Sequence, residues 1–334
     1  MSAKSETTRV LSACLYRSGL LGVVSSAVGA VRRVKGFPVL AFHRVNDDDD
    51  PFMPSLPTTL FAARMEHIAR HYTVLTVENL VERLREGRVP RRALALTFDD
   101  GYRDNLTHAA PILARYGLPA TIFLTTGYIG TREMLWFDRL AVALKTTDRT
   151  HLRVAGQASL VLASRAERVR ALQVTLSYLK GMPDTERRQT LDQLLRDLGV
   201  GPFDGPKRQM LSWDEVGVLR GLGFSVGAHT VTHPILSRLS PEEAWREIDD
   251  SGRAIEKALG SRPRAFAYPN GGADDVTETT VRLVKEAGFA CAVTTRRGLN
   301  TSTTPVLELR RGGPWERDLP TYALKLARYQ QTGA

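Results

Sequence analysis

The stretch Leu96-Thr97-Phe98-Asp99-Asp100-Gly101-Tyr102 carries two adjacent carboxylates at the end of a short apolar run. That run, residues 93–96, predicts a buried strand, and apolar residues at helical spacing across residues 103–116 predict a helix after it. In α/β folds ligands bind at the carboxyl ends of strands, and Gly101 allows a sharp turn there. Because neighbouring carboxylates repel each other, a cation bound by one would leave the other free as a base. A surface Asp-Asp-Gly turn is the alternative interpretation.

Two histidines follow a second predicted strand, residues 224–228. The sequence there continues as His229-Thr230-Val231-Thr232-His233-Pro234, in a chain with seven histidines in all. Imidazoles four residues apart can converge on one metal ion if the chain bends or turns helically between them. Two imidazoles and one carboxylate leave a coordination position open, which is typical of a catalytic metal site.

Short strands and helices alternate along most of the chain, which implies a parallel sheet. Further strands are predicted at residues 37–42, 72–75, 120–124, 265–268, 289–294 and 306–310. Residues 131–210 interrupt this alternation, with helices predicted at 164–179 and 184–198. We interpret them as a helical insertion beside the active-site face, which either shapes a substrate groove or is a surface excursion.

Three segments resemble, in order, the first three motifs of the polysaccharide deacetylases, the NodB-homology domain of carbohydrate esterase family four. They are residues 97–102, residues 229–234 and Phe266-Ala267-Tyr268-Pro269-Asn270-Gly271. The resemblance covers roughly residues 37–315, most of the chain. It implies an α/β fold that forms an irregular, incomplete (β/α)7-type barrel.

The resemblance also implies a role for individual residues. Asp100, His229 and His233 would bind one divalent ion, for which we expect Zn²⁺, with Co²⁺ or Ni²⁺ as alternatives. Asp99 would be the general base, and the backbone N–H of Asn270 would stabilise the oxyanion. The residues expected to contact substrate are Tyr102, Tyr268, Pro269 and Arg310.

The chain departs from the family pattern in two places. No histidine follows His233, although the usual members carry an acid histidine on the last strand. The third motif usually has an arginine two residues before its proline and an aromatic residue after it, where this chain has Ala267 and Asn270. Arg310 or Arg311 could replace that arginine.

The segment Leu40-Ala41-Phe42-His43-Arg44-Val45 offers a replacement for the missing histidine. It resembles the N-terminal segment of the poly-N-acetylglucosamine deacetylases, whose barrel is circularly permuted so that the strand with the acid histidine comes first. We therefore expect His43 to be the general acid. The alternative is a buried histidine with a satisfied backbone hydrogen bond.

We divide the chain into an N-terminal helical segment, residues 1–36, and the barrel domain, residues 37–334. Residues 20–31 are apolar with basic flanks, which is typical of an amphipathic helix that contacts an anionic membrane. A helix packed on the domain and a signal-peptide core are the alternatives. We prefer a cytoplasmic or inner-membrane-peripheral location, or a periplasmic one if residues 1–30 are a signal peptide.

The formal net charge is +10, but the basic residues are interspersed with acidic ones and form no known nucleic-acid motif, so we expect no nucleic-acid partner. Two cysteines provide no disulfide framework. Nothing in the sequence fixes the oligomeric state. The leading hypothesis is a metal-dependent deacetylase of N-acetylated glycans. An O-acetyl esterase, an amidase of small non-peptide molecules and a catalytically silent carbohydrate-binding module are the alternatives.

Overall fold

The computed structural model describes Ser12 and residues 36–154, 159–200 and 209–333. Its central feature is a parallel sheet in the order β10-β9-β8-β5-β4-β2, with β3 also paired to β4. The strands of this sheet are β2 (Val39–Phe42), β3 (Thr73–Val74), β4 (Ala93–Phe98), β5 (Thr121–Leu124), β8 (Ser225–Ala228), β9 (Ala265–Ala267) and β10 (Cys291–Val293). Two-stranded pairs are formed by β1 (Gly36–Phe37) with β11 (Asn300–Thr301) and by β6 (His151–Leu152) with β7 (Leu160–Val161).

Some helices of the described chain pack around this sheet, and others form the insertion. They are α1 (Thr58–His71), α2 (Val77–Arg85), α3 (Ala110–Arg115), α4 (Trp136–Thr146), α5 (Arg165–Lys180), α6 (Asp184–Asp197), α7 (Trp213–Gly221), α8 (Pro241–Leu259), α9 (Glu278–Glu286) and α10 (Leu319–Thr332). The capping boxes at Ser164, Ser212 and Ser240 are all formed, because each serine accepts the N–H of the glutamate three residues on and that glutamate's carboxylate accepts in return. These elements confirm the predicted α/β fold and incomplete barrel.

The segment predicted as the last strand is not a regular strand. Leu309 makes an isolated bridge with Val293 on one edge of the sheet, and the N–H of Gly312 donates to Val39 on the other edge. The segment thus spans the gap between β10 and β2 and cannot form a full ladder with either strand. The predicted strand at residues 306–310 was therefore wrong, although the segment still helps to close the barrel.

The helix predicted after the two aspartates is also different from the expectation. A π-helical turn, Asn105–Ala109, precedes α3, and the N–H of Ala110 reaches the carbonyl of Asn105. Pro111 lacks the N–H that would continue an α-helical ladder. A wider turn at this point keeps the following residues helical.

The insertion has its own apolar core, formed by leucines and aromatic residues of α4, α5 and α6. The helices predicted at residues 164–179 and 184–198 match α5 and α6 to within a residue at each end. Helix α4 and the β6–β7 hairpin were not predicted. The loop after β2 is tied to the insertion by an ion pair of 2.6 Å between Lys145 of α4 and Asp50.

The helix of residues 20–31 that we predicted to contact a membrane lies outside the described residues. Of the N-terminal segment, residues 1–36, the structure describes Ser12 and Gly36, and Gly36 begins β1. In the described part of the chain, no helix is both long enough and apolar enough to cross a bilayer.

Candidate metal and catalytic site

Three buried side chains converge at the carboxyl end of the sheet. Asp100 follows β4, and His229 and His233 follow β8. Oδ1 of Asp100 lies 3.6 Å from Nε2 of His229 and 3.4 Å from Nε2 of His233. Ligands at about 2.1 Å in a tetrahedral site are separated by about 3.4 Å. The spacing of the three atoms therefore fits a zinc-sized ion between them.

The hydrogen bonds around these atoms also fit a metal. Nδ1 of His229 donates to the Ala267 carbonyl at 2.7 Å, so the Nε2 lone pair faces Asp100. Among the described residues, Oδ1 of Asp100 is buried without a hydrogen-bond partner. A buried carboxylate oxygen without a partner carries an uncompensated desolvation penalty. A cation bound between the three side chains would offset this penalty.

The pKa values of these groups reflect burial. Desolvation, followed by the charges of Asp99 and Asp138, raises the pKa of Asp100 well above its ordinary value. Desolvation lowers the pKa of His229 to about 4 and holds the pKa of His233 well below its usual range. Both imidazoles are therefore neutral at pH 7, which is the form that binds metal.

The backbone is bent sharply at this site. Asp100, Thr230 and His233 have φ angles of 75°, 65° and 59°, and Gly101 has 83°. Left-handed conformations are uncommon for residues other than glycine, and here they turn the carboxylate and both imidazoles toward one point. A Cβ on Gly101 would lie 2.9 Å from Cδ1 of Ile129 and 3.1 Å from Cδ2 of Leu124, and the positive φ would add strain, so glycine is favoured there.

The bend between the two histidines is held by a residue that the sequence analysis missed. Glu247 of α8 accepts the N–H groups of Val231 and Thr232 at 2.8 Å each, and the hydroxyl of Thr232 at 2.7 Å. The hydroxyl of Thr230 accepts the N–H of His233 at 3.0 Å. No local pattern marks Glu247, because it is one of many charged residues on an amphipathic helix.

Asp99 lies beside the cluster in a buried ion pair with Arg311. The two guanidinium nitrogens Nη1 and Nη2 donate to its two carboxylate oxygens at 2.7 and 2.8 Å. Burial alone would raise the pKa of Asp99, but the charge and the hydrogen bonds of Arg311 hold it well below its ordinary value. Of the two arginines considered from the sequence, Arg311 contacts the site. Arg310 is exposed, with its side chain against Gly298.

His43 lies at the same rim because β2 is the neighbour of β4. The register pairs Phe42 with Phe98, so His43 and Asp99 leave their strands side by side, with Nε2 of His43 at 3.9 Å from Oδ2 of Asp99. The His43 side chain is 55% exposed. Desolvation lowers the pKa of His43; Asp99 acts in the opposite direction, while Arg311 and Arg44 lower it further.

The residues expected to contact substrate have different environments. The hydroxyl of Tyr102 donates to Asp138 at 2.8 Å, beneath the guanidinium of Arg44, and that of Tyr268 donates to the Leu307 carbonyl at 3.0 Å. Both rings are buried, so these hydroxyls serve intramolecular bonds.

The turn after β9 contains Pro269, which was expected to contact substrate, and Asn270, whose N–H was expected to stabilise the oxyanion. Pro269 is buried, and Asn270 is partly exposed with a φ of 57°. Nδ2 of Asn270 is buried without a hydrogen-bond partner in the described part of the chain. The turn is held in part by the hydroxyl of Thr295, which donates to the Asn270 carbonyl at 2.5 Å.

Comparison with known proteins identifies the family of this arrangement. Residues 86–292 match the sequence profile of a family described as Polysaccharide deacetylase. YxkH of Bacillus subtilis, assigned to the polysaccharide deacetylases, is 21% identical over 276 residues, which cover 82% of this chain and 70% of YxkH. A poly-β-1,6-N-acetyl-D-glucosamine N-deacetylase of Staphylococcus aureus is 27% identical over 88 residues, which cover 26% of this chain and 30% of that protein. The structure of IcaB from Ammonifex degensii has a TM-score of 0.55 at 19% identity, covering 88% of this chain and 97% of IcaB.

Proposed function

Because this chain belongs to the polysaccharide deacetylase family, we propose that it is a metal-dependent N-deacetylase of amino sugars in a bacterial exopolysaccharide or cell-envelope glycan. The observation that carries this proposal is the convergence of Asp100, His229 and His233 beside the ionised Asp99. The similarity to a poly-β-1,6-N-acetyl-D-glucosamine N-deacetylase supports the choice of substrate class.

A divalent ion bound by these three side chains would supply Lewis acidity, which activates water and polarises an amide carbonyl. Zn²⁺ suits two imidazoles and one carboxylate, and Co²⁺ or Ni²⁺ can occupy the same ligands. Nδ1 of His229 keeps its proton on the Ala267 carbonyl and thereby fixes the orientation of the ring.

Asp99 and His43 would divide the proton transfers. Arg311 keeps Asp99 ionised, so that its carboxylate accepts the proton of the attacking water. The leaving group is a sugar amine, which departs only when it is protonated, and the exposed His43 ring would donate that proton. The Asn270 N–H would donate to the oxyanion, an interaction worth about 3 kcal/mol of transition-state stabilisation.

Acetate release from β-1,6-linked N-acetylglucosamine oligomers tests this proposal. The purified chain should release acetate, lose this activity after chelation, and recover it when Zn²⁺, Co²⁺ or Ni²⁺ is resupplied. An O-acetylated xylan should be assayed beside the oligomers. Acetate from the ester alone would replace the proposal with an O-acetyl esterase, and activity that survives chelation would remove the metal from the mechanism.

A further inference from the structure

Trp315 is the most exposed of the large apolar side chains in the described residues, at 57%. Single exposed apolar residues are common on protein surfaces, so exposure alone does not indicate a function. The position of Trp315 relative to the metal cluster is the informative observation.

The segment that leads to Trp315 follows β2 toward the catalytic rim. Gly312 donates its N–H to Val39, at the start of β2, and Gly313 lies against Leu40. The Trp315 ring then meets the ring of Phe42 at 6.5 Å between centroids, at an interplanar angle of 79°. Phe42 directly precedes His43. The exposed indole therefore emerges at the same end of the sheet as the metal cluster.

A groove opens at this end of the sheet. It is a cavity of about 740 Å³ between the loop that follows His43, the first turn of α5 and Arg317. This volume is within the usual range of ligand sites, about 300–1,000 Å³. Its polar lining includes Asn46, Asp49, Ser55, Arg165 and Arg317. The ion pair between Lys145 and Asp50 joins one wall of this groove to the insertion.

We propose that Trp315 is a stacking platform for a sugar ring, and that the groove beside Arg317 binds the hydroxyls of an oligomeric glycan. An indole face matches the apolar C–H face of a pyranose ring. The exposed carboxylate of Asp49 and the exposed guanidinium groups of Arg165 and Arg317 supply acceptors and donors for sugar hydroxyls. This inference rests on the proposed function and deepens it, because it makes the substrate a polymer that occupies several subsites. It also gives the insertion a role, since α5 forms one wall.

Binding and turnover of the pentamer and the monomer of β-1,6-linked N-acetylglucosamine test the inference separately from the proposed function. In an Asp99→Asn background, which prevents turnover during the measurement, Trp315→Ala should weaken pentamer binding about tenfold, or ~1.4 kcal/mol. Trp315→Phe should stay within about threefold, because it keeps an aromatic face. With Asp99 present, Trp315→Ala should raise KM for the pentamer with little change in kcat, which is the signature of lost binding energy that substrate and transition state share. The loss on the monomer should be smaller.

Leu222→Ala is the matched control, because Leu222 is 53% exposed and precedes β8 at the opposite end of the sheet. It should leave pentamer binding unchanged, and Arg317→Ala should weaken it. Equal pentamer affinity of the parent and Trp315→Ala would overturn the inference. If Trp315→Ala bound the pentamer like the parent but lost binding to phosphatidylglycerol vesicles, the inference would also fail, because that result would assign Trp315 to a membrane contact. If Trp315 governs pentamer binding but no acetate is released, the platform stands and the proposed deacetylase activity fails.

Discussion

Replacement of Arg311 by methionine should destabilise the protein by about 3–5 kcal/mol, the usual cost of removing one partner from a buried ion pair. Both side chains of the pair with Asp99 are almost fully buried, and both hydrogen bonds are short. Without the guanidinium, Asp99 would be an uncompensated buried charge next to Asp100. Methionine keeps much of the volume and the apolar stem, so lost packing contributes little.

The dependence of this effect on pH has a definite sign. Arg311 lowers the folded-state pKa of Asp99, so the pair contributes its full stability above the ordinary carboxyl pKa of about 3.9. The contribution is lost as the pH falls through the lowered folded-state value. In the variant, burial without the guanidinium would instead raise the pKa of Asp99. The difference in unfolding free energy between parent and variant should therefore shrink as the pH falls through that raised value, and it should be smallest in strong acid.

Urea unfolding at pH 7 with chelator present, applied to a double-mutant cycle, measures the pair itself. Arg311→Met should cost much less in an Asp99→Asn background, with a coupling energy of about 2–3 kcal/mol. Arg310→Met is the matched control, because this neighbouring arginine is exposed, and it should change stability by less than about 0.5 kcal/mol. A coupling energy below about 0.5 kcal/mol would refute the argument that the two buried groups support each other.

Three further predictions concern the residues of the site. Alanine at Asp100, His229 or His233 should strongly weaken zinc binding in titration calorimetry and abolish acetate release; a variant that binds zinc like the parent would exclude its residue from the ligand set. Asp99→Asn should retain zinc but lose about 10²–10⁴-fold in kcat, whereas half the parent's activity would mean that Asp99 is structural. His43→Ala should keep its zinc and lose far more activity toward an N-acetyl sugar than toward an aryl acetate, whose leaving group needs no proton. Equal losses on the two substrates would indicate that His43 positions the substrate.

The parts of the site that were predictable from sequence lie at the ends of strands. Asp99, Asp100 and His229 follow apolar runs, and parallel strands present their carboxyl ends at one edge of a sheet. The same reasoning places His43 beside Asp99, provided that β2 pairs with β4, as it does in the structure. These predictions need only local patterns and the direction of the chain.

The rest depended on contacts between distant segments. Alternation along a strand could not distinguish Arg310 from Arg311, because their segment bonds to two strands at once and has no regular ladder. Glu247 supports the loop between the histidines from a helix that shows no local sign of this role. Helix α10 was not predicted, although it buries Tyr322, Leu326 and Tyr329.

The left-handed residues at the site affect which mutations this protein can accumulate under selection for stability. Asp100, Thr230, His233 and Asn270 are four of the six non-glycine residues with positive φ in the described chain. Each such residue costs of the order of 1–3 kcal/mol. Glycine at Thr230 would relieve the strain there but leave the histidine bend without its hydroxyl. Selection for thermal resistance alone would therefore erode this loop early, and a heat-tolerant descendant obtained that way should keep its barrel while its hydrolytic activity declines.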